Sequence, residues 1–169
     1  MDLELKNKVA LVTGASKGIG KAVALELAAE GADLIMCARH EGELAAAGEE
    51  VSAAGEGLVL TVVADMTREE DLQALVEKSR EKFGRIDILV NNAGGIGRAA
   101  SFADLSTRDW RNLFELNLFS VVTLTRLVLP LMQENKWGRI INISSENAEQ
   151  PYPDMPAYNV SKGALNNLS

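Results

Sequence analysis

The chain has almost none of the side chains that hold metals or form disulfides: one cysteine, Cys37, and one histidine, His40, among 169 residues. A lone thiol excludes an internal disulfide, and inside the apolar run that carries it Cys37 reads as a small core residue, not a reactive nucleophile. A single imidazole argues against metal centres of the usual histidine-rich kind. Positive charge is scarce too. Lysine and arginine number 17 against 24 acids, giving a net charge of -7 and a pI near 4.8. That balance opposes nonspecific attraction to nucleic acid or to an anionic membrane, so any phosphate must be held locally. No run approaches the roughly 18 uninterrupted apolar residues of a membrane span. Met1-Asp2-Leu3-Glu4 lacks the basic start and apolar stretch of a signal peptide, and a cytoplasmic protein is expected. No linker and no repeat divides the chain; residues 1–169 read as one domain whose 47% hydrophobic content suffices for a core. Glu49-Glu50 and Glu69-Glu70-Asp71 read as solvated helix faces.

What is present is concentrated at the two ends. Near the N-terminus the apolar run Lys8-Val9-Ala10-Leu11-Val12-Thr13 leads into Gly14-Ala15-Ser16-Lys17-Gly18-Ile19-Gly20, and an alanine-rich helical pattern follows from Lys21 to Glu30. Strand, glycine turn and helix form the context of a dinucleotide site. Gly14 permits the tight turn, Gly18 lets backbone N–H groups approach a pyrophosphate, and Gly20 lets helix and strand lie close. The helix N-terminus adds the positive end of its dipole. The spacing is G-x-x-x-G-x-G, which departs from G-x-G-x-x-G. A second strand, Asp33 to Ala38, ends where an NAD site places a carboxylate against the ribose hydroxyls. Here Ala38 is followed by Arg39 and His40. Arg39 offers a planar donor fork suited to phosphate, and Lys17 can reach the same 2′-phosphate, so the residues favour NADP over NAD.

Toward the C-terminus Tyr158 and Lys162 stand one helical turn apart, which puts them on one helix face. An ammonium beside a phenol stabilises the ionised form, lowering a pKa normally ~10 and making Tyr158 a general acid/base near neutral pH. Ser144 and Ser145 follow the apolar strand that starts at Arg139. Periodicity does not choose between them, because central parallel strands are apolar on both faces.

Strands are expected near 8–13, 33–38, 58–64, 86–90 and 139–144, and helices near 18–30, 41–54, 68–83, 106–134 and from 157 onward. The alternation implies a doubly wound α/β fold, a parallel sheet covered on both faces by right-handed crossovers, with strand order 3-2-1-4-5. A ligand then lies over the carboxyl ends of strands 1 and 4, where the order reverses. The helix at 106–134 is apolar on most of its circumference and wants cover beyond its own sheet.

With Thr13 to Gly20, Asp65 after the third strand, Asn91-Asn92-Ala93-Gly94 after the fourth, Asn117, Ser145, and Tyr158 with Lys162 all in order, the chain resembles the short-chain dehydrogenase/reductases, of which 3-oxoacyl-carrier-protein reductases are familiar members. The resemblance implies a Rossmann-like fold and an NADPH-dependent reductase of ketones or aldehydes, or the reverse oxidation. It assigns cofactor binding to Gly14, Ser16, Lys17, Gly18, Ile19, Gly20, Arg39, Asp65, Asn91, Ala93, Gly94, Tyr158 and Lys162. It assigns catalysis to Tyr158, with Ser145 holding the carbonyl and Asn117 relaying a proton through Lys162, and by its spacing it selects Ser145 over Ser144. Ser144 is then expected to satisfy nearby backbone. Asp65 and Thr67 are also good cap residues for the helix from Arg68. Asn91 to Gly95 is equally an ordinary turn when judged on its residues alone. Asn117 is a polar group in an apolar stretch and needs a partner if buried. The loop from Glu146 to Pro156 is expected to line the pocket. The family commonly pairs the long helix with its copy in another subunit, so a homo-oligomer with a small-molecule substrate is expected. Members continue past the active-site helix with a further strand and a substrate-covering segment, so the chain reads as incomplete at its C-terminus, with strand 5 as a bare edge. The alternative is a non-catalytic nucleotide-binding or oligomerising remnant.

Overall fold

In a computed structural model, which describes residues 3–169, five strands form one parallel sheet in the order β3-β2-β1-β4-β5. The strands are β1 Val9–Thr13, β2 Asp33–Ala38, β3 Val59–Val63, β4 Ile88–Asn91 and β5 Arg139–Asn142. The major helices are α1 Gly18–Ala29, α2 Glu41–Ala54, α3 Glu69–Phe83, α4 Thr107–Phe114, α5 Ser120–Glu134 and α6 Pro156–Leu168. β1 pairs with β2 and with β4, so the order reverses beside it.

Alternation along each strand divides the core into two layers. Ala10 and Val12 of β1, Leu34 and Met36 of β2, and Ile88 and Val90 of β4 pack with Ala24 and Ala28 of α1 and Leu44, Ala47 and Val51 of α2. Val9, Leu11, Ile35, Cys37 and Leu89 face the other way, against Leu72 and Leu75 of α3 and Leu124, Val128 and Leu131 of α5. All five residues of β1 are buried, as a central parallel strand requires. At the amino end of the sheet Asp87, fully buried, accepts from the Val9 amide at 2.9 Å and from Arg85 Nε and Nη2 at 2.8 and 2.6 Å.

Three expectations are corrected. The helix at 106–134 is not uniform: a π-helical turn, Glu115–Phe119, separates α4 from α5 and holds the buried Asn117. Such widened turns insert a residue into the helical ladder and are frequent at functional sites. The same stretch, Thr107–Glu134, has a mean hydropathy of 1.4 over its most apolar window and is long and apolar enough to cross a membrane by length and composition. Within this fold, however, Leu124, Val128 and Leu131 face the sheet while Phe119 and Leu129 remain exposed. Second, Asp65 does not cap α3. Its Oδ1 accepts from Thr67 N and Oγ1 at 2.9 and 2.8 Å, closing a local turn, while Asp71 in the first turn of α3 reaches back to the Asp65 amide at 2.9 Å. The side chain is spent two residues too early to reach the helix. Third, Ser144 satisfies no backbone group; its hydroxyl is buried without a partner among the described residues. β5 stops at Asn142 and lies at the sheet edge, where Ile140 and Ile141 are 37% and 47% exposed.

Candidate active site

The carboxyl ends of β1 and β4 meet at a two-sided strut. Thr13 Oγ1 accepts from the amides of Asn92 and Ala93 at 3.0 and 2.9 Å and donates to the Val90 carbonyl at 3.3 Å. Asn92 Nδ2 in return donates to the carbonyls of Thr13 and Gly14 at 2.8 and 3.2 Å. The strut presses the glycine turn against the β4 loop. A Cβ on Gly14, already at φ +63°, would stand 3.0 Å from the Ala93 Cα, and one on Gly20 would collide with the Gly14 carbonyl. Gly18, at φ +57°, faces open space. No side chain caps α1 and no acid lies in its first turn, so the N–H groups at that N-terminus are left free of side-chain acceptors for an anion.

Above this turn lies a cleft of ≈ 360 Å³. Gly14, Ser16, Lys17, Ile19, Ala93 and Gly94 line its centre, and Arg39 and His40 stand at the β2 end. Of the residues expected to bind a dinucleotide, Gly14, Ser16, Lys17, Ile19, Arg39, Ala93 and Gly94 reach the cleft together, while Gly18 and Gly20 do not line it. Asn91 does not line it: its Nδ2 donates to Asn142 Oδ1 at 2.9 Å, tying β4 to β5, and its Oδ1 is buried without a partner among the described residues. Asp65 sits one residue beyond Ala64 at the cleft wall. The Thr67 amide foremost, with Arg39 and Arg68 as lesser contributors, holds the Asp65 carboxyl below the usual carboxylate range. Lys17 is engaged already, its Nζ lying 3.3 and 3.5 Å from the Glu43 carboxylate oxygens. The glycine cradle, the uncapped helix and the cations at one end fit a dinucleotide phosphate.

Gly94 joins this cleft to the candidate catalytic residues. A Cβ placed there would lie 3.2 Å from Asn117 Oδ1 and 3.7 Å from Lys162 Nζ. Asn117 clasps the loop with both ends of its amide: Oδ1 accepts from Gly95 N at 2.9 Å, and Nδ2 donates to the Gly95 carbonyl at 2.9 Å and to Ser161 Oγ at 3.0 Å. Asn117 and Lys162 thus flank Gly94 without bonding each other directly. Lys162, 5% exposed, donates from Nζ to the Ile143 carbonyl at 2.7 Å, and burial pushes its ammonium below the usual lysine range. That Nζ lies 5.9 Å from the centroid of the Tyr158 ring. The half-buried Tyr158 keeps its hydroxyl free of protein hydrogen bonds among the described residues.

Ser145 opens a 3-10 turn, Glu146–Ala148, and is held by a chain of amides. The Tyr152 carbonyl is an acceptor only, so it fixes which end of Asn159 faces it: Nδ2 donates there at 2.7 Å. Asn159 Oδ1 therefore meets Asn147 Nδ2 at 2.9 Å, and Asn147 Oδ1 is left to accept the Ser145 hydroxyl at 3.0 Å. The Asn147 amide donates back to Ser145 Oγ at 3.3 Å. The Ser145 proton is thus turned toward Asn147, and the serine is tied to the helix that carries Tyr158. Tyr152 also donates its hydroxyl to Glu146 Oε1 at 2.8 Å, which closes the loop and raises its phenol pKa. Sequence reasoning missed Asn147 and Asn159 as positioning groups, because their separation follows no helical or strand period. Asn92 lay within a motif it had singled out, but what made Asn92 a strut was the neighbouring strand.

The family model for short chain dehydrogenases matches residues 8–169. The chain belongs to that family. An uncharacterized oxidoreductase of Bacillus subtilis (strain 168), YvrD, is 41% identical over 169 residues, covering 100% of this chain and 63% of the relative. Among solved structures, 7 alpha-hydroxysteroid dehydrogenase complexed with NADH and 7-oxo glycochenodeoxycholic acid superposes with a TM-score of 0.93 at 37% identity, covering 99% of this chain and 64% of that one. A metagenomic short-chain oxidoreductase in complex with NADP gives 0.91 at 38%, covering 97% and 74%. The chain thus spans about two thirds of the length of these proteins, and the two solved structures carry NADH and NADP respectively.

Proposed function

We propose that this short-chain dehydrogenase is an NADP-dependent oxidoreductase that interconverts a small ketone or aldehyde and its alcohol. The observation that carries the proposal is Gly94: one residue lines the nucleotide cleft and abuts both Asn117 and Lys162, so a dinucleotide along the cleft ends beside the tyrosine–lysine pair. When bound, the nicotinamide supplies or accepts the hydride at the substrate carbon. In reduction Tyr158 gives its phenolic proton to the substrate oxygen, and the nearby Lys162 ammonium stabilises the phenolate that remains. Ser145 holds the substrate oxygen, and to donate to a carbonyl it must turn its proton away from Asn147. Asn117 and Lys162, on either side of Gly94, return a proton to Tyr158. Arg39, with no acid after Ala38, favours the 2′-phosphate of NADP. The exposed Phe119 and Leu129 on the α4–α5 stretch support a homo-oligomer built on that face, and the family resemblance supports cytoplasmic work on a small molecule.

Tyr158→Phe tests the core of the proposal, since it keeps the ring and removes only the transferable proton. NADPH affinity stays within about twofold, while turnover of a panel of small ketones and aldehydes falls on the order of 10²–10⁴-fold. A variant that keeps most of the wild-type turnover removes Tyr158 as proton donor. Tighter binding of NADH than of NADPH by the wild-type chain overturns the cofactor assignment.

A further inference from the structure

The β2 end of the cleft carries one group that the NADP reading leaves unused. Glu43, in the first turn of α2, lines the cleft together with Lys17, Arg39 and His40. Its carboxylate spans the mouth to Lys17, with Oε2 at 3.3 Å and Oε1 at 3.5 Å from Nζ. Both side chains are well exposed, 48% for Glu43 and 76% for Lys17, so the pair is easily parted. A neighbouring pair, Lys21 Nζ to Glu50 Oε2 at 2.6 Å, ties α1 to α2 independently, so the packing of the two helices does not need Glu43. The remaining acids near this mouth are Glu41 in the same helical turn and Asp65, which faces Arg39 from the end of β3.

We propose that Glu43 sets the cofactor preference as a counter-charge: it engages Lys17 across the cleft mouth and opposes the 2′-phosphate that Lys17 and Arg39 attract. The inference rests on the dinucleotide reading given above. With His40 neutral, Glu43 leaves the four side chains at the mouth with one net positive charge where Lys17 and Arg39 alone would give two. A 2′-phosphate must share Lys17 with the Glu43 carboxylate or displace it, whereas a 2′-hydroxyl need do neither. Glu43 thereby narrows the advantage of NADP over NAD. Because the group is exposed, its effect is of surface ion-pair size, about 2- to 5-fold in affinity, and is screened over a Debye length of about 8 Å at physiological salt.

Calorimetric titration with adenosine 2′,5′-bisphosphate and with 5′-AMP, which differ only in the 2′-phosphate, tests this on the full chain without requiring turnover. Glu43→Gln should raise affinity for the bisphosphate about 2- to 5-fold, more at low salt, and leave 5′-AMP unchanged. Glu43→Lys should raise the bisphosphate affinity further; a steric role for Glu43 would not order the three side chains by charge. Bisphosphate affinity unchanged across the series overturns the inference while leaving the dinucleotide site in place. Loss of 5′-AMP affinity in Glu43→Gln makes Glu43 a ribose-hydroxyl acceptor and also overturns it. If wild-type protein binds neither nucleotide, the dinucleotide reading falls and this inference falls with it.

Discussion

Replacing Asn92 by aspartate should be worse than replacing it by alanine, the reverse of what similarity of shape suggests. Asn92 Nδ2 donates to two carbonyls, Thr13 at 2.8 Å and Gly14 at 3.2 Å, and these two contacts hold the glycine turn against the β4 loop. Asn92→Ala removes both. At roughly 0.5–1.5 kcal/mol net per bond the loss is about 1–3 kcal/mol, toward the lower end because the half-buried position admits water to the freed carbonyls. Asn92→Asp removes the same two donors and leaves a carboxylate oxygen facing two carbonyl oxygens, with no proton to offer at pH 7. That arrangement adds repulsion on the order of 1 kcal/mol beyond the alanine loss. Because Asn92 also lines the cleft, the new charge opposes a dinucleotide phosphate as well. Urea unfolding followed by circular dichroism measures the stability order, and NADPH fluorescence titration the affinity order. Both should run wild type, then alanine, then aspartate. Aspartate at or above alanine in both assays would refute the strut as described.

Lys162→Met gives a pH test. Burial lowers the folded-state pKa of Lys162 below its ordinary 10.5, so between the two values the unfolded chain binds more protons and wild-type stability rises with pH; below that window the penalty is present in full. The stability of wild type relative to Lys162→Met should therefore climb as pH rises toward 10.5, and a flat difference would sink the argument. Cys37, buried against Met66 with its thiol pKa pushed up to about 12, should resist Ellman's reagent at pH 8 in the native chain and react on unfolding. Asp87→Ala leaves the buried Val9 amide unpaired and returns the partly exposed Arg85 to water, a loss of about 1–3 kcal/mol in urea unfolding. A loss under 1 kcal/mol would show that the Asp87 carboxylate contributes little there.

The sheet was legible in the chain because its information is local. Runs such as Val9 to Val12 and Leu34 to Cys37 are buried on both faces and must be apolar throughout, and the alternation with helices leaves a parallel sheet as the economical solution. α2 was placed at 41–54, where it is found, because Gly55 stops it. The glycine turn was legible for the same reason, since positive φ at Gly14 and Gly18 is a backbone demand written into residue type. Other features had no local signature. The π turn at Glu115–Phe119 shifts the helical ladder by one residue in a sequence whose hydrophobic pattern runs on without a break, so only packing against the 94–97 loop and α6 reveals it. Asp65 had two uses on paper, a cofactor contact and a cap for the helix from Arg68, and the turn to Thr67 took its carboxylate before α3 began. The direction of the Ser145 proton was decided three hydrogen bonds away by the Tyr152 carbonyl, a group that bears no sequence information at all. The sequence by itself determined the order of the strands and which residues are the candidates for the chemistry at their carboxyl ends. Tertiary structure alone decided which polar atom faces which, because a hydrogen bond has a donor end and an acceptor end, and that choice is made by neighbours distant in the chain.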